Sequence, residues 1–300
     1  MNLEWHGNAS FSITSGTLSI LFDPFVELPG GENPNCPEDF SGFRNIFLTH
    51  GHVDHLGNLP DILAASDAAG GRARLFCTET PCETLRDKGV NDGRIRVVKR
   101  GDVLHFYENC FTHVRLRGTS SEDNNEYVRL RSVSSEDSYA HAQVPSIGVT
   151  VLAGQHIHFD RKLLLHTFLT PHLFSNPRNL LWIMREFVLD PENGETVAYK
   201  IETEGKTILL LGSLGLHPDE TYPSPVDALI LPYQGASDLI TPGLAAVDAV
   251  KPGMVIMSHF DDAFPPISRS IDPAGFIEAM GKAYPGTPVV VPGAGVPFCL

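Results

Sequence analysis

The segment His50-Gly-His52-Val-Asp54-His55 packs three imidazoles and one carboxylate into six residues, directly after the apolar run Ile46-Phe47-Leu48. Such a run reads as a buried strand, so the cluster falls on the loop at its C-terminal end, with a helix starting near Leu56 to Leu59. Imidazole nitrogen and carboxylate oxygen suit zinc, iron or manganese, and such sites often sit on loops held by rigid elements. From an extended turn His50 and His52 point the same way, while Asp54 and His55 turn toward a neighbouring position. One loop can therefore supply two adjacent metal sites. A polar, His-rich surface turn is the plainer reading, but four such residues at this density favour metal.

Composition narrows the partners. With 22 Lys and Arg against 36 Asp and Glu, the net charge is -14. That balance disfavours nucleic acid and anionic membranes as main partners, while leaving room for a local basic patch. The 300 residues can bury a sizeable core. Five cysteines, odd in number and with no C-x-x-C pair, read as free thiols in a reducing cytosol. The N-terminus lacks the basic and apolar regions of a signal peptide, and no apolar run reaches membrane-span length, so the expected location is cytoplasmic.

The His-x-His-x-Asp-His pattern resembles the signature of the metallo-β-lactamase fold hydrolases. The opening "WHGNASFSI…ILFDP" is similar to the branch that contains L-ascorbate-6-phosphate lactonase. In that branch the strand-ending carboxylate lies behind the metal loop. The resemblance thus casts Asp23 as a group that orients a metal-bound histidine through its second N–H. A turn-forming Asp before Pro24 accounts for it equally well.

The distant ligands come next. Ile147-Gly-Val-Thr-Val-Leu152 reads as a strong strand, followed by His156 and His158. Two histidines from one loop need a third ligand from elsewhere. Extended chain sends His156 and His158 to the same face, so the residues alone do not separate them. The resemblance selects His156 and leaves His158 as a pocket residue. His259 follows the strand Met254–Ser258, where the family carries its last ligand, completing a second site with Asp54 and His55. The family's bridging aspartate has no counterpart: Leu211-Gly212 leads into Ser213, whose neutral hydroxyl cannot supply the charge that holds two divalent cations close together. Asp219 and His217, a few residues on, could compensate.

These readings imply an α+β chain: a four-layer αββα sandwich of the metallo-β-lactamase type, forming one domain over residues 1–300. Residues 118–143 read as a polar insertion. Residues 161–189 read as a helical insertion, either packed into the core or walling the metal site. The two halves, 1–155 and 195–300, are each expected to give one sheet. The metal ligands are expected to be His50, His52, Asp54, His55, His156 and His259, holding one or two divalent ions, most readily zinc, with manganese or iron as alternatives. Asp54 is the candidate catalytic group. The implied activity is hydrolysis of a small ester, lactone or amide, because a metal lowers the pKa of its bound water toward neutrality. A phosphodiesterase and a binding protein impaired at Ser213 are the alternatives, and a homo-oligomer stays open.

Overall fold

The computed structural model describes residues 1–107, 110–115, 128–131, 146–157, 171–189 and 195–300. The polar insertion expected over 118–143 lies outside them except for one strand. His141, His158, His166 and the start of the helical insertion, 161–170, lie outside them as well.

The first sheet holds β1 (Asn2–Trp5), β2 (Phe11–Ser15), β3 (Leu18–Phe22), β4 (Asn45–Phe47), β5 (Arg74–Cys77) and β6 (Ile95–Val97) in sequence order, with the terminal β16 (Phe298–Cys299) added beside β1. From β3 to β6 the strands run parallel. Such pairs need crossover connections, supplied by the loop 23–44 after β3, by α1 (Val53–Leu56) with α2 (Leu59–Ala68), and by α3 (Glu79–Asp87).

The second sheet runs in the order β15, β14, β13, β12, β11, β10, β7, β8, β9. Here β7 is Val103–Tyr107, β8 Cys110–Arg115, β9 Val128–Arg131, β10 Ile147–Ala153, β11 Val197–Thr203, β12 Lys206–Leu210, β13 Val226–Pro232, β14 Pro252–Ser258 and β15 Val289–Val290. Three helices follow the earlier ones in the chain: α4 (Pro177–Leu189), α5 (Ile240–Val250) and α6 (Ala274–Ala283).

Three apolar layers account for the stacking. Phe22, Phe47, Phe76, Phe106 and Tyr199 fill the space between the sheets. Leu56, Leu59, Ile62, Leu63 and Leu85 from α1–α3 cover the outer face of the first sheet. Val247, Val250, Phe276 and Met280 from α5 and α6 cover the second. The result is the four-layer αββα sandwich. Phe47 stacks on Phe76 with ring centroids 4.6 Å apart. Truncating such a buried ring costs about 3–5 kcal/mol.

Two expectations need correction. The division between sheets falls near residue 100, not 155, because β10 pairs antiparallel with β7 and β11, which carries β7–β10 into the second sheet. Alternation along a strand reveals its buried face but not which sheet it joins. Cys77 and Cys82 are not free thiols but form a disulfide. The strand-to-helix turn brings their Cα atoms to 6.1 Å, within the span a disulfide bridges. Among the described residues, no helix is long and apolar enough to cross a membrane.

Candidate metal centre

Strands β3, β4, β10, β12 and β14 all end at one edge of the sandwich, and the loops that follow them build the site. Ligand sites in open α/β sheets gather at such carboxyl ends. After β4 the chain stays extended through His52 (φ -64°, ψ 151°), whose carbonyl then accepts the amides of His55 and Leu56 to start α1. The extended stretch sends His50 and His52 one way, and the first helical turn sends Asp54 and His55 another.

The geometry separates two groups of three: His50, His52 and His156, and Asp54, His55 and His259, with the donor atoms of each group within 4.8 Å of one another. In the first, His50 Nε2 and His52 Nδ1 approach to 2.8 Å, and the His52 and His156 rings lie 4.4 Å apart. In the second, Asp54 Oδ2 is 3.1 Å from His259 Nε2 and 3.7 Å from His55 Nε2. The groups adjoin where the His50 and His55 rings come within 4.0 Å.

Asp23 sits directly behind this loop, with φ at +45°. Its carboxylate accepts the amide of Thr49 at 2.8 Å and the Thr49 hydroxyl at 2.7 Å, and its Oδ2 is 3.1 Å from His55 Nδ1. Thr49 Oγ1 is also 2.9 Å from His50 Nδ1. A hydroxyl has one hydrogen, so when it donates to Asp23 it must accept from His50 Nδ1–H. These partners hold Nδ1 of both rings and leave Nε2 of His50 and of His55 as the nitrogens facing inward. His156 Nδ1 donates to the carbonyl of Ile157 at 2.7 Å and leaves its Nε2 likewise.

Charge follows burial. Desolvation pushes His50 well below the ordinary imidazole range, aided by the neighbouring His55 and His52. It pushes His52 down to about 4 against the pull of Asp54, and lowers His156 against its bond to the Ile157 carbonyl. At neutral pH all three are uncharged donors. Burial opposes ionisation of Asp54, but His55 and His259 outweigh it and hold the carboxyl well below the usual range. Burial likewise opposes the charge on His55, and Asp23 and Asp54 overcome it, raising that imidazole. Among the described residues, Nδ1 of His259 is buried with no hydrogen-bond partner. Three neutral imidazoles beside two imidazoles and a carboxylate form a donor set that fits borderline divalent ions.

Ser213 is buried, and its hydroxyl accepts the amide of Ile157 at 3.0 Å, pinning the loop that carries His156. Gly212 precedes it because a side chain there would sit 2.5 Å from Thr49 Cβ. His217 joins neither group: its Nδ1 accepts the amide of Asp219 at 3.2 Å and its own amide donates to Tyr222. Beside the loop, α4 packs Trp182 and Ile183 onto Phe25, Leu28 and Phe264, so this part of the helical insertion joins the core.

The sequence reading passed over Asn8. Its side chain donates to the carbonyl of Asp54 at 2.6 Å, and its own carbonyl accepts the amide of His259 at 2.7 Å. Its amide lies 3.0 Å from both carboxylate oxygens of Asp261. Asn8 thereby ties two members of the second group together from a left-handed conformation (φ +49°). The available signal was Gly7-Asn8 between two strands, since Asn tolerates positive φ better than most residues.

A family model described as a Beta-lactamase superfamily domain matches residues 19–133. A UPF0173 metal-dependent hydrolase of Pyrobaculum islandicum is 30% identical over 132 residues, covering 40% of this chain and 54% of the relative. One from Methylocella silvestris is 40% identical over 92 residues, covering 31% and 38%. The chain spans about half the length, or less, of these relatives. Among solved structures, an isothiocyanate hydrolase from Delia radicum gut bacteria superposes with a TM-score of 0.54 at 14% identity, covering 100% of this chain and 99% of that one. The metallo-beta-lactamase fold protein YhfI from Bacillus subtilis gives 0.52 at 10% identity, covering 99% and 98%. The chain has the metallo-β-lactamase fold.

Proposed function

We propose that this chain is a metal-dependent hydrolase acting in the cytoplasm on a small ester, lactone or amide. The observation that carries this reading is the pair of adjoining donor groups, one of neutral imidazoles and one with an ionised carboxylate, at the carboxyl edge of both sheets. His50, His52 and His156 would hold one divalent ion, zinc by preference, and Asp54, His55 and His259 a second. Bound there, such an ion supplies Lewis-acid polarisation of a carbonyl oxygen and a water acidic enough to ionise near neutral pH.

The chain's own residues do the rest. Asp23 and Thr49 hold the imidazoles of His50 and His55 by Nδ1, with Nε2 facing inward. Asp54 is held ionised beside His259 and His55, and its low basicity favours a role as anionic donor over that of proton acceptor. The metal-dependent hydrolase relatives support the reaction class; the lactonase-like branch rests on the resemblance of the opening strands.

A second reading has one observation in its favour. Ser213 stands where the fold's bridging carboxylate is expected, so a chain that holds metal weakly and turns over nothing would be a binding protein. One experiment separates the two: metal per chain by elemental analysis on the wild type and on Ser213→Asp, with ester, lactone and phosphodiester panels on both. Bound metal with ester or lactone turnover in the wild type is the expected result. No metal and no turnover, with both appearing in the variant, would leave the binding protein; turnover confined to phosphodiesters would replace the substrate class.

A further inference from the structure

In a chain with a net charge of -14, five cations converge on one groove of about 1300 Å³. It lies at the edge of the first sheet opposite the metal loops, where β4, β5 and β6 begin. Arg44 precedes β4, Arg74 opens β5 and Arg94 precedes β6, while Arg72 follows α2 and Lys88 caps α3. One carboxylate, Asp67, lines the groove among the described residues, and Arg94 pairs with it. Lys88 pairs with Glu186. Cations at the ends of α2 and α3 also answer the negative poles of those helices.

That explanation stops short of Arg44 and Arg74, which stand at strand starts where no helix dipole asks for a cation. Arg44 and Arg72 are exposed and face no carboxylate among the described residues. Arg74 lies 4.8 Å above the Phe111 ring, which holds its guanidinium in place without neutralising it. Burial, then the charges of Arg96 and Arg44, depress its ionisation. Like charges gathered this closely, in a chain rich in carboxylates that could have paired them, leave an anion as the missing partner.

We propose that this groove binds a small anion carrying several phosphoryl groups, at a site separate from the metal centre. The guanidinium fork matches phosphoryl oxygens in pairs, and three unspent arginines suit more than one phosphoryl group. A long polyanion fits worse, because the acidic surface beyond the groove repels it. The lining also offers no aromatic ring among the described residues on which single-stranded bases could stack. The recognition is therefore of the phosphate chain, whether free or attached to a nucleoside.

The test is calorimetric titration of the metal-loaded full chain with inorganic tripolyphosphate, with ATP and a DNA duplex as comparison arms, and metal content checked before and after. Tripolyphosphate is expected to bind with an affinity that falls as salt rises, and ATP to bind about as well. Arg44→Gln and Arg72→Gln should each weaken binding about tenfold, with melting temperature and metal content unchanged. Arg44→Lys should recover part of the loss, since the charge returns without the fork. ATP binding far more tightly than tripolyphosphate would overturn recognition of the phosphate chain alone. Unchanged affinity in the glutamine variants would place the anion at the metal centre and overturn the proposal, as would absent binding or a duplex preferred over tripolyphosphate.

Discussion

Asp23 Oδ2 lies 3.1 Å from Nδ1 of His55, and the same carboxylate takes both the amide and the hydroxyl of Thr49. One buried acid therefore sets the direction of His55 directly and of His50 through Thr49, reaching into both donor groups. Asp23→Asn keeps the size but puts a neutral amide against His55, removing the acceptor that holds its Nδ1. Losing such a partner behind a ligand histidine costs about 10–100-fold in metal affinity. Competition against a chromophoric chelator measures this. Zinc affinity equal to that of the wild type would mean that Asp23 serves the turn before Pro24 and nothing more.

Asn8 makes a different demand. Its side chain satisfies the buried carbonyl of Asp54 at 2.6 Å, and its backbone holds a left-handed φ of +49°. Asn8→Ala loses both, while Asn8→Gly loses the side chain alone. The lost bond should cost about 1–3 kcal/mol in either variant, and the strained backbone should cost alanine about 1 kcal/mol more than glycine. Urea denaturation of the pair separates the two contributions; equal stabilities would show that the positive φ carries no strain here.

How much of this was legible follows from how far each signal reaches along the chain. His50, His52, Asp54 and His55 crowd one loop, so their density alone pointed to two neighbouring donor groups. His156 needed the family resemblance, because period-two alternation places it and His158 on one face. Asn8 could not be found by chemistry, since it acts on carbonyls and amides of residues distant in sequence. The disulfide of Cys77 and Cys82 follows from a turn that folds five residues back on themselves, which spacing does not announce. The swap of β7–β10 into the second sheet lies in strand pairing, a property of the fold rather than of any one segment.

Ser213 earned notice as an absence, yet it accepts the amide of Ile157 at 3.0 Å. Ser213→Ala would remove the partner of that half-buried N–H, at a cost of about 1 kcal/mol, and would loosen the residue next to His156. The metal-loaded form should lose more stability than the metal-free form, because His156 contributes to binding only in the former. Ser213→Thr keeps the hydroxyl and should retain most of the difference. Parallel melts of loaded and metal-free protein are the check, and an equal loss in both would confine Ser213 to holding the loop.

Glu27 gives the pH dependence a definite sign. Burial pushes its carboxyl up to about 8, the bond from the Asn33 amide pulls the other way, and the charge of nearby Asp261 adds to the rise. A side-chain hydrogen bond to Asp261 raises it further. An unfolded glutamate titrates near 4.3, about the usual value, so the folded chain holds this proton more tightly than the unfolded chain does. The stabilisation is complete below the unfolded value and is lost as pH rises through the folded one. Melting temperature should therefore fall as pH rises from about 4 toward about 8 and level off above that. Glu27→Gln mimics the protonated form: its carbonyl can accept the Asn33 amide and its NH2 can face Asp261. The variant should match the wild type below about pH 4 and exceed it increasingly as pH rises to about 8, which calorimetry across that range measures. Parallel curves for the two proteins would mean that Glu27 is ionised throughout and that another group carries the slope.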